Sequence, residues 1–128
     1  MNIVAIYMLF NLLLLVFSKA PVAIAMAKQG SGYDNASPRE QQGELAGWGK
    51  RALAAHQNAI ETIPVFGLAL LTAAHLDLET AQFHLYAGGF VASRLVYQIC
   101  YLANWATLRS VAWIAGYACC IALVVLSL

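Results

Sequence analysis

The stretch that decides the fold is KRALAAHQNAIETIPVFGLALLTAAHL, residues 50–76. Its second half has the composition of a membrane helix, whereas its first half carries charged and amide side chains. At about 100° per residue, Arg51 and Asn58 point in nearly the same direction, and Glu61 lies about 60° further round. His56 points away from this face. Ionisable groups inside a membrane are costly and usually face a bundle interior or a wet cavity. The pattern therefore predicts a spanning helix with a functional polar face.

The composition of the chain limits its class. Apolar residues make up 62% of the 128 residues and charged residues 10%, against about 45–50% and about 25% in soluble domains. This excess of apolar residues predicts a membrane protein, and the length of the chain predicts a single domain over 1–128. The net charge of +1, with no basic stripe, argues against a nucleic-acid partner. No carboxylates or His–Cys groups stand at metal-ligand spacing, so no metal is expected, and the three cysteines are interpreted as small apolar residues.

Four apolar segments predict four transmembrane helices, over about 2–27, 49–76, 81–103 and 107–127. Each has roughly 20 residues or more, which at ~1.5 Å per residue spans a hydrocarbon core about 30 Å thick. The segments are too long for barrel strands, and only helices or closed barrels satisfy their backbone in lipid. The first segment lacks the basic start of a signal peptide and is expected to be retained. The predicted fold is an all-α four-helix membrane bundle.

The connections between these segments differ in length. Residues 28–45 form a polar loop, in which Ser37 and Pro38 have the types typical of an N-cap and a first helical residue. The next two connections are short turns, and Thr107 is a possible cap for the last helix.

The basic residues predict the orientation of the chain. All seven lie in or near the first loop or the third connection; they are Lys19, Lys28, Arg39, Lys50, Arg51, Arg94 and Arg109. The opposite side carries Asp77 and Glu79 and no basic residue. The positive-inside rule then places both termini outside and the basic connections in the cytoplasm.

The third helix has a polar face of its own. Arg94, Tyr97 and Tyr101 are spaced by three and four residues and therefore share one side of the helix. Arg94 is a candidate for a buried pair with Glu61 that joins two helices, or else for a ligand contact. Arg109 opens the fourth helix, where its charge opposes the helix dipole. Arg109 at the start of this helix is explained either by an anionic ligand that it binds or by a role as a positive-inside topology anchor.

These side chains suit a small ligand with both charges. Arginines bind carboxylates, a glutamate binds an amino group, and tyrosine hydroxyls add neutral hydrogen bonds. An amino acid or a short peptide fits such a set better than a lipid tail or a metal ion.

Four motifs in order make the chain resemble the MAPEG family, the membrane-associated proteins in eicosanoid and glutathione metabolism. They are RALAAHQNAIETIP at 51–64, RLVYQICY at 94–101, TLRS at 107–110, and YDNASPR at 33–39, which looks like the first loop of bacterial members. The resemblance covers nearly the whole chain. It implies a homotrimer of four-helix subunits of the bacterial type, and in a bacterial inner membrane the asymmetry of the basic residues places both termini in the periplasm.

The resemblance also implies glutathione as co-substrate, held between subunits near the cytoplasmic side. The residues expected to bind it are Arg51, Asn58, Glu61, Arg94 and Tyr97. Arg109 matches the arginine that activates the thiol, and Tyr101 is a second candidate donor to the sulfur. The chain departs from the family pattern at Ala54 and Thr62. The interval between Tyr101 and Arg109 is one residue longer than in leukotriene-synthase-like members.

Two functions are compatible with these motifs. The first is a membrane glutathione transferase or peroxidase-like enzyme that conjugates or reduces small lipophilic electrophiles taken from the bilayer. The alternative is a protein of the same fold that is non-catalytic, or binds another ligand, and uses its polar helix faces for assembly.

Overall fold

The computed structural model describes residues 2–128, and these residues form five helices. They are α1 (Ile3–Ala27), α2 (Pro38–Gly43), α3 (Gly47–His75), α4 (Ala81–Ala103) and α5 (Ala106–Val125). The four long helices coincide with the four apolar segments to within about two residues at either end. The short α2 lies in the polar loop, where the sequence predicted a helical turn.

The long helices differ in how apolar they are. By length and composition, α1 and α5 are each able to cross a membrane. Helices α3 and α4 carry more polar side chains and do not reach the same apolarity. With 29 residues, α3 is ~43 Å long, so it exceeds a hydrocarbon core of about 30 Å. That all four helices span the membrane stays a prediction; if α3 does, its first polar turns extend beyond the core.

A two-residue connection joins α4 to α5. Asn104 adopts the left-handed conformation with φ of 62°, which asparagine tolerates better than most residues. The Trp105 N–H donates to the Cys100 carbonyl at 2.8 Å and closes the end of α4. Helix α5 then begins at Ala106, so Thr107 lies inside its first turn. The expectation that Thr107 caps this helix is wrong, because the connection is shorter than predicted.

The polar loop is fixed to the end of α1. Helix α2 begins at Pro38, as predicted, although the Ser37 side chain at the N-cap makes no capping hydrogen bond. Gln41 is buried, and its amide donates to the carbonyls of Met26 at 3.3 Å and Gly32 at 2.7 Å. These bonds hold α2 against the bundle.

The bundle has an apolar end, a loop end and a polar layer between them. Helix α1 packs mainly on α3, and α4 mainly on α5, while α3 joins the two pairs. The apolar end is built from Val4, Phe66, Leu70, Phe83, Phe90 and Leu123. The loop end is built from Val22, Ala25, Met26, Leu45 and Ala52. The polar layer consists of the buried residues Asn58, Ser93 and Arg94.

Candidate functional site

Arg94 is the centre of the polar layer. It is 1% exposed. Its Nη1 donates to Asn58 Oδ1 at 2.9 Å, and its Nη2 donates to the Ala112 carbonyl at 3.1 Å. Gly116 provides the room on α5, because a Cβ atom there would lie 2.7 Å from Arg94 Nη2. The guanidinium therefore ties α4 to both α3 and α5.

Glu61 does not pair directly with Arg94, and the predicted buried pair is wrong. Among residues 2–128, the Arg94 side chain donates only to Asn58, Ser93 and Ala112. The Asn58 amide lies between the two charged groups and donates to Glu61 Oε2 at 3.1 Å. The reason is helical phase: Asn58 points into the bundle, whereas Glu61, about 60° round the helix, is on the exposed surface of the chain.

A cleft of about 310 Å³ lies on the surface between α4 and α5, and we call it the tyrosine cleft. Its lining residues are Tyr97, Tyr101, Arg109, Ser110, Trp113 and Ile114. The rings of Tyr97 and Tyr101 have centroids 5.5 Å apart, in edge-to-face contact. The Arg109 guanidinium carbon lies 4.5 Å from the Tyr101 ring centroid. The cleft thus combines a fixed cation and two phenols with an apolar wall.

The Asn104 turn explains how Arg109 reaches this cleft. Because only two residues separate the helices, the first turn of α5 lies beside the last two turns of α4. Arg109 is in that first turn, and Tyr101 is near the end of α4. The one-residue difference from the leukotriene-synthase-like interval does not prevent the two side chains from meeting.

Arg94 connects the polar layer to the tyrosine cleft. Its guanidinium carbon lies 4.7 Å from the centroid of the Tyr97 ring. Cation–π contact of this kind is strongest where water is excluded, and Tyr97 is itself buried. Arg94 therefore holds the ring that forms the inner wall of the cleft without lining the cleft itself.

Arg51 lies apart from both groups. Its Nη2 donates to the Leu102 carbonyl at the end of α4, at 3.5 Å, and its buried Nε has no hydrogen-bond partner among the described residues. The seven predicted site residues thus form three groups in one chain. These are Arg51 alone, the chain Glu61–Asn58–Arg94, and the cleft residues Tyr97, Tyr101 and Arg109.

Several residues of the site were missed from the sequence. Gly116 gives Arg94 its space, and Trp113 forms part of the apolar wall. Gln98 donates to the Ala55 carbonyl at 2.9 Å and joins α4 to α3 near the polar layer. A usable signal existed for Gly116, since small residues in membrane helices mark close helix contacts. Trp113 carried no such signal, because a tryptophan in a membrane helix is as typical of a lipid-facing position as of a cleft wall.

The comparison with known families bears on this arrangement. The model of the MAPEG family matches residues 3–128, which is nearly the whole chain. The chain belongs to the MAPEG family. No curated protein and no solved structure matches it. Membership confirms the resemblance seen in the four motifs and makes this chain an all-helical membrane protein. It assigns no role to the individual residues of the polar layer or the tyrosine cleft.

Proposed function

We propose that this MAPEG protein is a membrane glutathione-dependent transferase or peroxidase-like enzyme that conjugates or reduces small lipophilic electrophiles. The observation that carries the proposal is the tyrosine cleft, where Arg109 lies against Tyr101 and faces an apolar wall of Trp113 and Ile114. MAPEG proteins generally use glutathione, and both an arginine and a phenol can stabilise its thiolate.

The chemistry needs a cation near the sulfur. A free cysteine-type thiol has a pKa of about 8.5, so only a few per cent is thiolate at neutral pH. Glutathione supplies the thiol in this proposal. Arg109 favours the anionic form by its charge, and Tyr101 donates a hydrogen bond from its hydroxyl. Water is scarce at a lipid-facing cleft, so the charge acts through a lower effective dielectric than in bulk water.

The donor set on α3 also fits glutathione. Arg51 Nε is a buried donor without a partner among residues 2–128, and it suits a carboxylate. The Glu61 carboxylate is exposed and suits an amino group. Neither residue lines the tyrosine cleft of its own chain. A single glutathione that contacts Arg51, Glu61 and the tyrosine cleft is therefore best placed between neighbouring subunits.

The exposed position of Glu61 on α3 supports a homotrimer with four spanning helices in each subunit. MAPEG proteins are typically trimeric. A carboxylate on the exposed surface of a membrane helix would face lipid unless another subunit or a ligand covered it. Covering α3 with a neighbouring chain removes that cost at Glu61. Both termini outside the cytoplasm and a place in a bacterial inner membrane remain part of the proposal, since they follow from the basic residues and the first-loop motif.

Heating in mild detergent with increasing glutathione tests the function. A ligand at ~100 times its dissociation constant adds roughly 2.7 kcal/mol to the stability of the folded state. We expect a rise in melting temperature, and a smaller rise with the analogue that carries serine in place of cysteine, because that analogue keeps the two carboxylates and the amino group but has no thiolate for Arg109 to stabilise. No shift with either compound would refute glutathione as the ligand. Native mass spectrometry tests the trimer separately.

One observation favours the second function, a non-catalytic protein whose polar faces serve assembly. Arg94 is 1% exposed and donates to Asn58, Ser93 and the Ala112 carbonyl, so its guanidinium joins three helices of the subunit, as a structural role requires. Turnover of an aryl halide with glutathione distinguishes the two functions. The assembly role predicts none.

A further inference from the structure

Helix α3 contains two residues near its middle that weaken an α-helix. Pro64 lies inside the helix, and because proline has no backbone N–H, the Ile60 carbonyl one turn earlier loses its intrahelical donor. Gly67 follows three residues later and is buried, and glycine is a weaker helix former than alanine. Sharp bends in helices occur mainly at proline and at a few other breaks of the hydrogen-bond pattern. Residues 60–67, which we call the Pro64 segment, are therefore the weak part of α3.

Packing inside the subunit does not require a glycine at position 67. A Cβ atom added at Gly67 would meet no neighbouring helix or side chain of residues 2–128 within 4 Å. Gly49 in the same helix is different, because a Cβ atom there would lie only 2.9 Å from the Cβ of Ala25 on α1. Close helix contact thus explains Gly49 and does not explain Gly67. What Gly67 contributes to α3 is backbone freedom.

Asn11 on α1 contacts the Pro64 segment. It is 2% exposed, and its Nδ2 donates to the Ile63 carbonyl at 3.2 Å. Its Oδ1 is buried and accepts no hydrogen bond from residues 2–128. The Ile60 carbonyl lies one helical turn from that of Ile63, so two acceptors that need a donor are neighbours. One water molecule donates two hydrogen bonds and satisfies both, as ordered waters do beside other prolines in membrane helices.

The Pro64 segment separates two parts of α3 that have different surroundings. Beyond it, Leu70 and Ala73 are fully buried in the apolar end. Before it, Asn58 accepts a hydrogen bond from Arg94 in the polar layer, and Arg51 lies two turns nearer the loop end. The first part is held by close packing and the second by a few hydrogen bonds. A bend in the Pro64 segment therefore moves the polar part relative to the apolar end.

We propose that the Pro64 segment is a hinge, supported by Asn11 and one buried water molecule, about which the loop-side part of α3 bends against the apolar end. Hinges are built from a few residues that absorb a change in backbone angles, and Pro64 and Gly67 are such residues. The part that moves carries Arg51, Asn58 and Glu61, so the bend sets their positions relative to a ligand between subunits. That consequence rests on the proposed glutathione function, whereas the hinge itself does not.

Hydrogen–deuterium exchange of the full-length protein in mild detergent, without ligand, tests the hinge, because exchange reports local opening. The reference is the equally long stretch 86–93 in the middle of α4, which contains two glycines and no proline. After correction for intrinsic rates, we expect residues 60–67 to exchange at least about fivefold faster than this stretch. Gly67→Ala should slow their exchange about fivefold, the factor that ~1 kcal/mol of helix propensity gives. Gly88→Ala in α4 is the matched control and should leave them unchanged.

A double-mutant cycle tests the water bridge. Asn11→Leu is made in the parent chain and in Pro64→Ala, where the restored backbone N–H pairs with the Ile60 carbonyl. The bond to the Ile63 carbonyl is lost and the same volume is added in both backgrounds, so these effects cancel. We expect Asn11→Leu to lower the melting temperature more in the parent chain, because only there does it also remove the partner of the Ile60 carbonyl. Equal lowering in the two backgrounds would overturn the water bridge.

The exchange experiment also separates the hinge from the glutathione proposal. Exchange in 60–67 that is no faster than in 86–93 would overturn the hinge, whatever glutathione does. If glutathione raises the melting temperature, we expect it to slow exchange in 60–67 as well, and to do so less in Gly67→Ala. A melting shift with unchanged exchange there would show that the hinge does not serve the ligand site. Absence of a melting shift would refute the glutathione function alone, since the exchange of the ligand-free protein still decides the hinge.

Discussion

The apolar end and the polar layer both join α3 to α4, by opposite means. At the apolar end, Phe66 and Phe90 stack with ring centroids 3.8 Å apart and fill the space between the helices. In the polar layer, Gly116 leaves space on α5, and the Arg94 guanidinium occupies it. Packing contacts join α3 to α4 at the apolar end. The polar layer is joined by directed hydrogen bonds, so it fixes the rotation of α4 and with it the position of Tyr97.

The difference has a physical origin in the solvent. Lipid tails are as apolar as leucine, so burying Phe66 against other helices gains packing but little from leaving the lipid. A guanidinium that loses its partners in the same surroundings loses far more. We therefore expect the apolar end to contribute to stability through packing, and the polar layer to contribute both to stability and to the geometry of the tyrosine cleft.

The largest expected effect is on catalysis and comes from Arg109→Ala. Removing one positioned group that stabilises a reacting anion costs about 10²–10³-fold in turnover, or roughly 2.7–4 kcal/mol. We expect that loss in glutathione turnover with an aryl halide, together with disappearance of the ultraviolet thiolate absorbance of bound glutathione at neutral pH. The melting temperature should stay close to that of the parent protein, because Arg109 is only half-buried.

Lys28→Ala is the control for this change, since it removes a basic residue on the same side at the end of α1. An undiminished thiolate signal in Arg109→Ala would make the arginine a topology anchor only. The activating group would then have to be another side chain, with Tyr101 the first to examine.

Phe66→Ala tests the apolar end. In a membrane the cavity term dominates, and at ~24 cal/mol per Å³ over roughly 100 Å³ it amounts to about 2 kcal/mol. We expect that decrease in the free energy of unfolding, measured by denaturation in mixed detergent micelles. Glutathione affinity of the folded fraction should be unchanged. A large loss of glutathione binding at unchanged stability would mean that the two regions are coupled more tightly than their contacts indicate.

Gly116→Ala tests how the polar layer controls the cleft. The added methyl would meet Arg94 Nη2 and Ser93 Oγ at 2.7 Å, so the guanidinium must shift. We expect a loss of about 1 kcal/mol in stability, at the low end of what overpacking costs, and a several-fold lower turnover because the Tyr97 ring loses its support. Both are measured on the same purified protein.

Gly88→Ala in α4 is the matched control, because its methyl would meet only Tyr7 Oη, at an ordinary 3.9 Å. It should be neutral or slightly stabilising, since alanine favours a helix over glycine. Equal behaviour of the two glycine variants would contradict the role given to Gly116.

The smallest expected effect comes from Gln98→Met. This change removes the hydrogen bond from the Gln98 amide to the Ala55 carbonyl and keeps a similar shape. Hydrogen bonds between membrane helices contribute about 0.6 kcal/mol on average, and we expect a loss of that size in the unfolding free energy. A loss of several kcal/mol would place Gln98 beside Arg94 as a main link between α3 and α4.

The sequence alone determined the positions of the long helices, because runs of apolar residues of that length are satisfied in lipid only as helices. It also determined which side chains share a face, since the 3.6-residue repeat is fixed. Arg94, Tyr97 and Tyr101 do lie on one side of α4, where Arg94 meets the Tyr97 ring and Tyr97 meets the ring of Tyr101. The family followed from four motifs whose order along the chain is specific.

Only the tertiary structure decided which partner each polar group takes. The helical phase of α3 placed Glu61 near Asn58, but it could not show that the Asn58 amide lies between Glu61 and Arg94 and bonds to both. That outcome depends on the space left by Gly116 on a third helix. Likewise, Lys19 and Arg39 were read as topology signals until the folded loop placed them around one cavity. Helical periodicity acts within one helix, whereas contacts between helices depend on the shapes of both surfaces.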